Sequence, residues 1–302
     1  MTLAVTGGTG FVGQALLDET GRRRMQLRAL ARREQAERDG VEWLSGSLAD
    51  RDALAKLVAG AEAVLHIAGV VNAPDPTGFH LGNVTGTEAL VEAASAAGVK
   101  RLVFVSSLAA REPGLSAYGN SKRHAEKVVQ TSGLDWTIVR PPAIYGPRDR
   151  EIFELFKAAR WGVVPLPPPG RASIVHVDDL ARLLLALVPG GGEVSERIFE
   201  PDDGREGGWS HNELAKAIGA AVGKRVWAPA VPAPVMRAGA SLDSMFRGKG
   251  AKLTPDRIGY MVHPDWVSRP DKAPPPELWQ AEIATHEGLA ATAQWYREQR
   301  WL

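Results

Sequence analysis

The sequence predicts an α/β protein: a doubly wound parallel sheet followed by a small, irregular, mainly helical cap. Three observations predict it. Short β-branched runs alternate with longer helix-like stretches through the first half of the 302 residues, the pattern left by parallel strands joined by crossover helices. A glycine-rich turn follows the first run and opens the first helix. Finally, 15 of the 21 prolines and 7 of the 9 tryptophans lie after residue 150, so composition changes where the alternation ends. The expected division is therefore 1–150 and 151–302, with some segments of the second part returning to the sheet.

Taken in order, the expected strands are 3–6, 26–31, 41–44, 63–67, 102–106 and 137–139. Between them the apolar spacing predicts helices at 11–19, 51–59, 82–97 and 118–131. Gly21, Gly60, Gly98 and Gly133 each follow a last periodic residue, where C-terminal glycines belong. In the second part, 151–160, 179–187, 210–222 and 287–300 read as helices, and Ser210 with Glu213 forms a capping box. The proline runs at 165–169 and 274–276 are stiff loops. Such a region is too broken for a second large sheet. It is expected to cap the carboxyl edge of the first, where a substrate pocket would form.

Composition excludes several classes. At 44% hydrophobic and 24% charged residues the chain is an ordinary globular one. Lys+Arg 36 against Asp+Glu 35 leaves a net charge of +1, so no global field argues for nucleic acid or a membrane surface. There is no cysteine, which removes disulfides, thiolate metal sites and cysteine nucleophiles. The apolar run 183–188 falls far short of the ~20 residues that span a bilayer, and Met1-Thr2-Leu3-Ala4-Val5-Thr6 opens as a strand rather than as a basic leader. A cytoplasmic protein is expected.

Thr6-Gly7-Gly8-Thr9-Gly10-Phe11-Val12-Gly13 connects the first strand to the first helix. Its spacing is G-x-x-G-x-x-G. Glycine permits a tight turn of positive φ, brings backbone N–H groups up to a pyrophosphate and lets the helix lie close to the sheet. A P-loop is excluded because no Gly-Lys-Ser/Thr follows. The turn makes the sheet Rossmann-like and residues 1–150 a dinucleotide-binding domain, with 151–302 as the substrate-binding cap. At the end of the second strand stands Arg32, where cofactors lacking a 2′-phosphate usually meet an acid. A guanidinium suits a phosphate dianion, so NADP(H) is preferred and NAD(H) is the second choice. The remaining arginines of 22–33 read as a solvated face, and without an aromatic platform they do not predict nucleic-acid binding.

Tyr118 and Lys122 stand i and i+4 on one helix face. A phenol of pKa near 10 is a poor acid or base at neutral pH, and a neighbouring ammonium lowers that pKa. Val103-Phe104-Val105-Ser106-Ser107 would deliver two hydroxyls at a strand end, one of which could donate to a substrate carbonyl. His66 reads as a packed or cofactor-adjacent residue. In His176-Val177-Asp178-Asp179 the expectation is a helix entry capped by Asp178 or Asp179, not a metal cluster.

With these pieces, and with Leu65–Gly69, Asn83–Thr87, Arg140–Pro147 and the closing segment 288–297, the sequence resembles the extended short-chain dehydrogenases/reductases. That group includes the NAD-dependent epimerases and dehydratases. The resemblance implies Tyr118 as general acid/base and Lys122 as the group that lowers its pKa and holds the nicotinamide ribose. Ser107 would polarise the carbonyl. Gly7, Thr9, Gly10, Phe11 and Val12 would line the pyrophosphate, Ala68, Gly69 and Val70 would follow a ribose, and Pro141 and Ile144 would border the nicotinamide. Ser47-Leu48 stands at the adenine position, where members often carry Asp before an apolar residue. Leu108-Ala109 replaces the acidic pair of sugar 4,6-dehydratases, and Arg32 argues against epimerases, so the steroid dehydrogenase and dihydroflavonol reductase branch fits best. The expected activity is hydride transfer between NADP(H) and a ketone, aldehyde or secondary alcohol. A nucleotide-sugar epimerase is one alternative, for which Arg171, Arg225 and Arg247 would be phosphate ligands; a non-catalytic accessory subunit or redox sensor is the other. A small carbonyl or alcohol is the expected partner, no metal is expected, and a helix-mediated homodimer is implied.

Overall fold

The computed structural model describes residues 2–247 and 254–302. They form two compact units. The first holds the chain up to Arg140 with Leu180–Glu200 and Pro274–Trp279; the second holds Pro141–Asp179, Pro201–Ala273 and Gln280–Leu302.

The first unit opens with β1 (Thr2–Thr6), α1 (Phe11–Arg22), β2 (Gln26–Ala31), β3 (Val41–Ser45), α2 (Arg51–Val58) and β4 (Ala63–His66). A one-turn helix α3 (Pro76–Phe79) and a π-helical turn (His80–Thr85) lead into α4 (Gly86–Ala96) and β5 (Arg101–Val105). Then come α5 (Ala117–Gln130) and β6 (Asp135–Val139). Every residue of β4 and β5 is buried, as parallel strands covered on both faces must be, whereas the edge strand β3 keeps Glu42 and Ser45 exposed. The core of this unit packs Leu54, Leu57 and Leu90 against Val64, Leu102, Phe104 and Ile138.

The sheet has seven strands where the sequence predicts six. Its order is β10 (Arg197–Phe199), β6, β5, β4, β1, β2, β3, with every pairing parallel. The added edge strand comes from beyond residue 150. It is β10 (Arg197–Phe199), lying on β6 in the register Ile198 to Ile138. Strand order reverses between β1 and β4, which makes the carboxyl ends of those two strands the switch point of the fold.

Three local expectations are corrected. Gly21 does not end α1; the helix continues to Arg22, and the left-handed turn falls on Arg24 at φ 54°. Gly60, Gly98 and Gly133 do take positive φ. The helix expected at 82–97 is split, because the backbone widens into the π turn where a Cβ on Gly82 would meet Val70 Cγ2 at 2.2 Å. The entry of α7 (Val177–Ala186) is served by His176, whose Nδ1 accepts from the Asp178 N–H at 3.2 Å, while both aspartates stand in the first turn. Asp179 instead accepts from the N–H groups of Glu282 and Ile283.

The second unit carries β7 (Ala143–Tyr145) paired with β9 (Ile174–His176). A second small sheet has the order β11-β8-β12 and comprises β8 (Arg171–Ala172), β11 (Trp209–Ser210) and β12 (Asp265–Trp266). Its helices are α6 (Phe153–Arg160), α8 (His211–Ala221), α9 (Ala233–Arg247), α10 (Pro255–Met261) and α11 (Thr285–Glu298). The expected capping box is present, with Ser210 Oγ accepting from the Glu213 N–H and Glu213 Oε2 from the Ser210 N–H. Tyr145, Phe156, Ile218, Leu289 and Tyr296 form the centre of its core.

A charged network is buried in the first unit. Glu126, on α5, is fully buried and takes a bidentate pair from Arg140 (Nε and Nη2, both 2.7 Å) together with the Ser106 hydroxyl at 2.6 Å. Arg140 continues to Glu200 at 3.5 Å, and Glu200 to Arg111 at 3.7 Å. Removing one member of such a pair leaves a desolvated charge. Glu126→Ala is therefore expected to lower stability by about 3–5 kcal/mol in urea unfolding; a loss within error of wild type would show that the network contributes nothing to the fold.

Candidate active site

The glycine turn lies at the switch point, after β1. Gly7 has φ +77°, and a Cβ there would stand 2.5 Å from the Ala68 nitrogen. A Cβ on Gly13 would meet the Gly7 carbonyl oxygen at 2.1 Å. Both positions require glycine, which is how α1 comes to lie hard against the turn. Gly10 caps that helix without a side-chain bond, and its first turn holds no acid. The N-terminal N–H groups of α1 therefore face outward with a positive end, beside exposed Thr9 and half-buried Phe11 and Val12.

The loop after β4 is fixed by side chains. His66 is 1% exposed and stacks on Phe104 at 5.2 Å. Its Nε2 lies 2.9 Å from Thr87 Oγ1, which already donates to the Asn83 carbonyl, so Nε2 carries the proton. Nδ1 accepts from Thr6 Oγ1 at 2.6 Å, and Thr6 Oγ1 accepts from the Ala68 N–H. Burial, with the nearby Lys122 charge, pushes the imidazole down to about 3. It is a neutral structural group.

Asn83, on the π turn, accepts from the Val70 N–H at 2.6 Å and donates to the Val70 carbonyl and to Ser121 Oγ, both at 2.9 Å. Ser121 in turn donates to the Tyr118 carbonyl. One amide thus ties Ala68-Gly69-Val70 to the first turn of α5. The sequence motif contained Asn83, but nothing in its spacing assigned it this task.

Ser116 caps α5 by accepting from the Gly119 N–H, and a Cβ on Gly119 would meet the Ala109 carbonyl oxygen at 2.6 Å. That close approach sets Tyr118 beside the turn that Ser107 opens. Ser107 Oγ accepts from the Ala109 N–H at 3.2 Å, which leaves its hydroxyl proton to give. Ser106 is instead committed to Glu126. Tyr118 is half-buried, with its ring 6.0 Å from Phe79.

Lys122 is buried, and its Nζ donates to the Val105 carbonyl at 2.8 Å and lies 4.9 Å from the Phe104 ring centre. A Cβ on Gly69 would stand 3.2 Å from that nitrogen. Among the described residues this is its one hydrogen bond, so two N–H directions remain. Burial pushes the ammonium down to about 8, against Glu126, whose charge holds it up.

The remaining predicted residues are placed as follows. Arg32 is exposed at the end of β2, beside a crevice of about 690 Å³ whose lining includes Arg33, Arg38 and Trp43 together with Glu34, Glu37 and Asp39. Trp43 Nε1 is a buried donor without a partner among the described residues. Ser47 Oγ accepts from the Ala49 N–H, and Leu48 lies where a Cβ on Gly86 would meet it at 2.7 Å. Pro141 and Ile144 belong to the second unit, Ile144 pairing with Val175. Arg171 is spent on the Gly207 and Gly208 carbonyls, Arg225 is exposed, and the Arg247 side chain lies outside the described residues. Among the described residues no cluster of three metal-ligating side chains occurs.

A tight turn that requires glycine at positions 7 and 13, an uncapped helix N-terminus and a buried ammonium with N–H groups to spare all fit a dinucleotide. The comparisons agree. A family model described as NAD(P)H-binding matches residues 7–188. Fold and site thus define an enzyme that uses a nicotinamide cofactor, an oxidoreductase. The chain belongs to the extended short-chain dehydrogenase/reductase family. It is 37% identical to a ceramide reductase of Caulobacter vibrioides over 99% of this chain and 96% of that one. It is 33% identical to a 2-alkyl-3-oxoalkanoate reductase of Stenotrophomonas maltophilia, over 73% of this chain and 76% of that one. Among solved structures, UDP-glucose 4-epimerase from Thermotoga maritima with UDP-glucose shares the fold at TM-score 0.75 and 20% identity, covering 99% and 100% of the chains.

The Lys122 shift carries a prediction. The unfolded lysine keeps its proton up to about 10.5 and the folded one only to about 8. Between those pH values the unfolded state binds more protons, so stability rises with pH. Melting curves of the cofactor-free protein should show the wild type gaining on Lys122→Met across that window. Parallel curves would mean that Lys122 is not desolvated.

Proposed function

We propose that the chain is an NADPH-dependent ketoreductase in which Tyr118 gives a proton to the carbonyl oxygen of a long-chain lipid ketone of ceramide type. The observation that carries the reading is the buried Lys122 ammonium, one helical turn from Tyr118 and held by the carbonyl that ends β5. A buried ammonium favours the charged form of a phenol beside it, and that is the role proposed for Lys122 toward Tyr118. Ser107, with its hydroxyl proton uncommitted, donates to the same oxygen as charge develops there.

Gly7, Thr9, Gly10, Phe11 and Val12 hold the pyrophosphate at the uncapped end of α1, and Ala68, Gly69 and Val70 follow a ribose, braced by Asn83. Lys122 spends its remaining N–H groups on the ribose hydroxyls. Pro141 and Ile144 border the nicotinamide, while Ser47 and Leu48 border the adenine. A nicotinamide held by these residues would supply the hydride that reaches the carbonyl carbon. Arg32, with Arg33 next to it on the crevice wall, takes the 2′-phosphate. The lipid substrate is supported by the ceramide reductase likeness, which runs through nearly the whole of both chains; the oxoalkanoate reductase likeness supports a ketone on an alkyl chain.

Two measurements test this. Tyr118→Phe should lower kcat by ~10²–10⁴-fold while NADPH still binds, because only the proton donor is lost; undiminished turnover would overturn the role of Tyr118. The Arg32→Ser/Arg33→Ser double variant should lose about tenfold or more in kcat/KM for NADPH and little for NADH, since a charge-assisted phosphate contact is removed. A wild-type enzyme that prefers NADH would overturn the phosphate assignment.

A further inference from the structure

A second feature of the molecule lies outside the cofactor machinery. Trp161 is 86% exposed and Trp227 69%, with Val163 at 39% between them. They are neighbours by construction: Val163 bridges Trp227 in parallel, the Trp227 N–H donates to the Gly162 carbonyl, and the Val164 N–H donates to the Trp227 carbonyl. Gly162, at φ +77°, makes the turn that ends α6 and leaves Trp161 pointing away from the core. Two neighbouring indoles in water are costly unless something else covers them.

The chain segments that carry them hold charge of one sign. Residues 155–177 and 214–242 together hold seven Lys and Arg and no Asp or Glu, in a chain whose totals nearly balance. Lys157 and Arg171 have acidic neighbours in Glu154 and Glu213. Arg160, Lys224 and Arg225 are exposed, flank the two tryptophans, and have no acidic partner among the described residues. Helix α9, which follows directly, also turns apolar residues outward: Val235 is 58% exposed and Met245 71%, with exposed Ala238 between them. A protein partner normally meets a mosaic of both signs. A uniform sheet of anionic headgroups over hydrocarbon calls for indoles at the boundary and only cations beside them.

We propose that the edge formed by Arg160–Val163 and Lys224–Trp227 docks on an anionic lipid bilayer, the indoles entering the headgroup layer and the cations facing lipid phosphates. The inference extends the proposed function, since a lipid ketone would be met where it dissolves, but it rests on its own observations. The contact proposed is a peripheral one; among the described residues no helix is long and apolar enough to cross a membrane.

The test is flotation of the full chain with vesicles of phosphatidylcholine alone or mixed with phosphatidylglycerol, at low and high salt. The expected result is recovery with the anionic vesicles at low salt, a loss of about tenfold in partitioning for Trp161→Ser/Trp227→Ser, and a similar loss at high salt. Absence of flotation overturns the proposal, as does equal recovery on neutral vesicles or an unaffected double variant. So does a fall in oligomer size caused by the two substitutions, which would make the edge an interface between copies of the chain. Turnover of a small water-soluble ketone with NADPH separates the two readings. An active enzyme that never floats sinks the membrane face alone, and a protein that floats but reduces no ketone sinks only the proposed chemistry.

Discussion

An ammonium ion held out of water is the constraint around which the first unit is arranged. Lys122 can remain buried only if its charge is met, and three groups meet it: the Val105 carbonyl, the face of Phe104 and the Glu126 carboxylate one turn further along α5. Glu126 then needs its own partners and takes Arg140 and Ser106; Arg140 needs Glu200, and Glu200 needs Arg111. Charges alternate along this path, so each is stabilised by the next and none can be removed alone. The end of β5 serves both ends of the arrangement, through the carbonyl of Val105 and the hydroxyl of Ser106. The helix is thereby fixed in depth and in rotation against the sheet.

Much of this was legible in the sequence. Parallel strands buried on both faces read as short apolar runs, and β2 was predicted to the residue at 26–31. The glycine turn was legible because Gly7 and Gly13 sit where a Cβ would strike backbone, a constraint that shows directly as residue identity. Tyr118 and Lys122 were found by helical spacing, and Glu126 continues the same spacing, but a glutamate on a helix carries no mark of burial. Strand β10 escaped notice because three residues, Arg-Ile-Phe, at a sheet edge have too little pattern. The π turn has no residue signature, and the work of Asn83 spans α5 and the loop after β4, which only the folded chain brings together. Capping by His176 was missed because two aspartates beside it are the commoner caps. A net charge of +1 likewise concealed segments of uniform sign.

The proposed cofactor side of the protein is made largely of backbone: the turn at Gly7, the uncapped end of α1, and Ala68 to Val70. A solved structure titled for a UDP-glucose 4-epimerase shares the fold, while the sequence relatives are named as reductases of ceramide and of oxoalkanoates. The fold therefore does not choose the substrate. What this chain adds is in side chains: arginines at the end of β2, and leucine and alanine at 108 and 109 after Ser107.

The place of β10 has a consequence for synthesis. The seventh strand is drawn from residues 197–199, and Arg101 in β5 binds the Leu187 carbonyl with two of its nitrogens. Thr137 in β6 likewise donates to the carbonyl of Val194. On the ribosome, the nucleotide-binding sheet therefore cannot close when its first six strands have emerged. It waits, with β6 as an open edge, until some sixty further residues have been translated. Throughout that interval the nascent chain presents an uncovered strand edge, the form in which a growing polypeptide most readily pairs with the wrong neighbour.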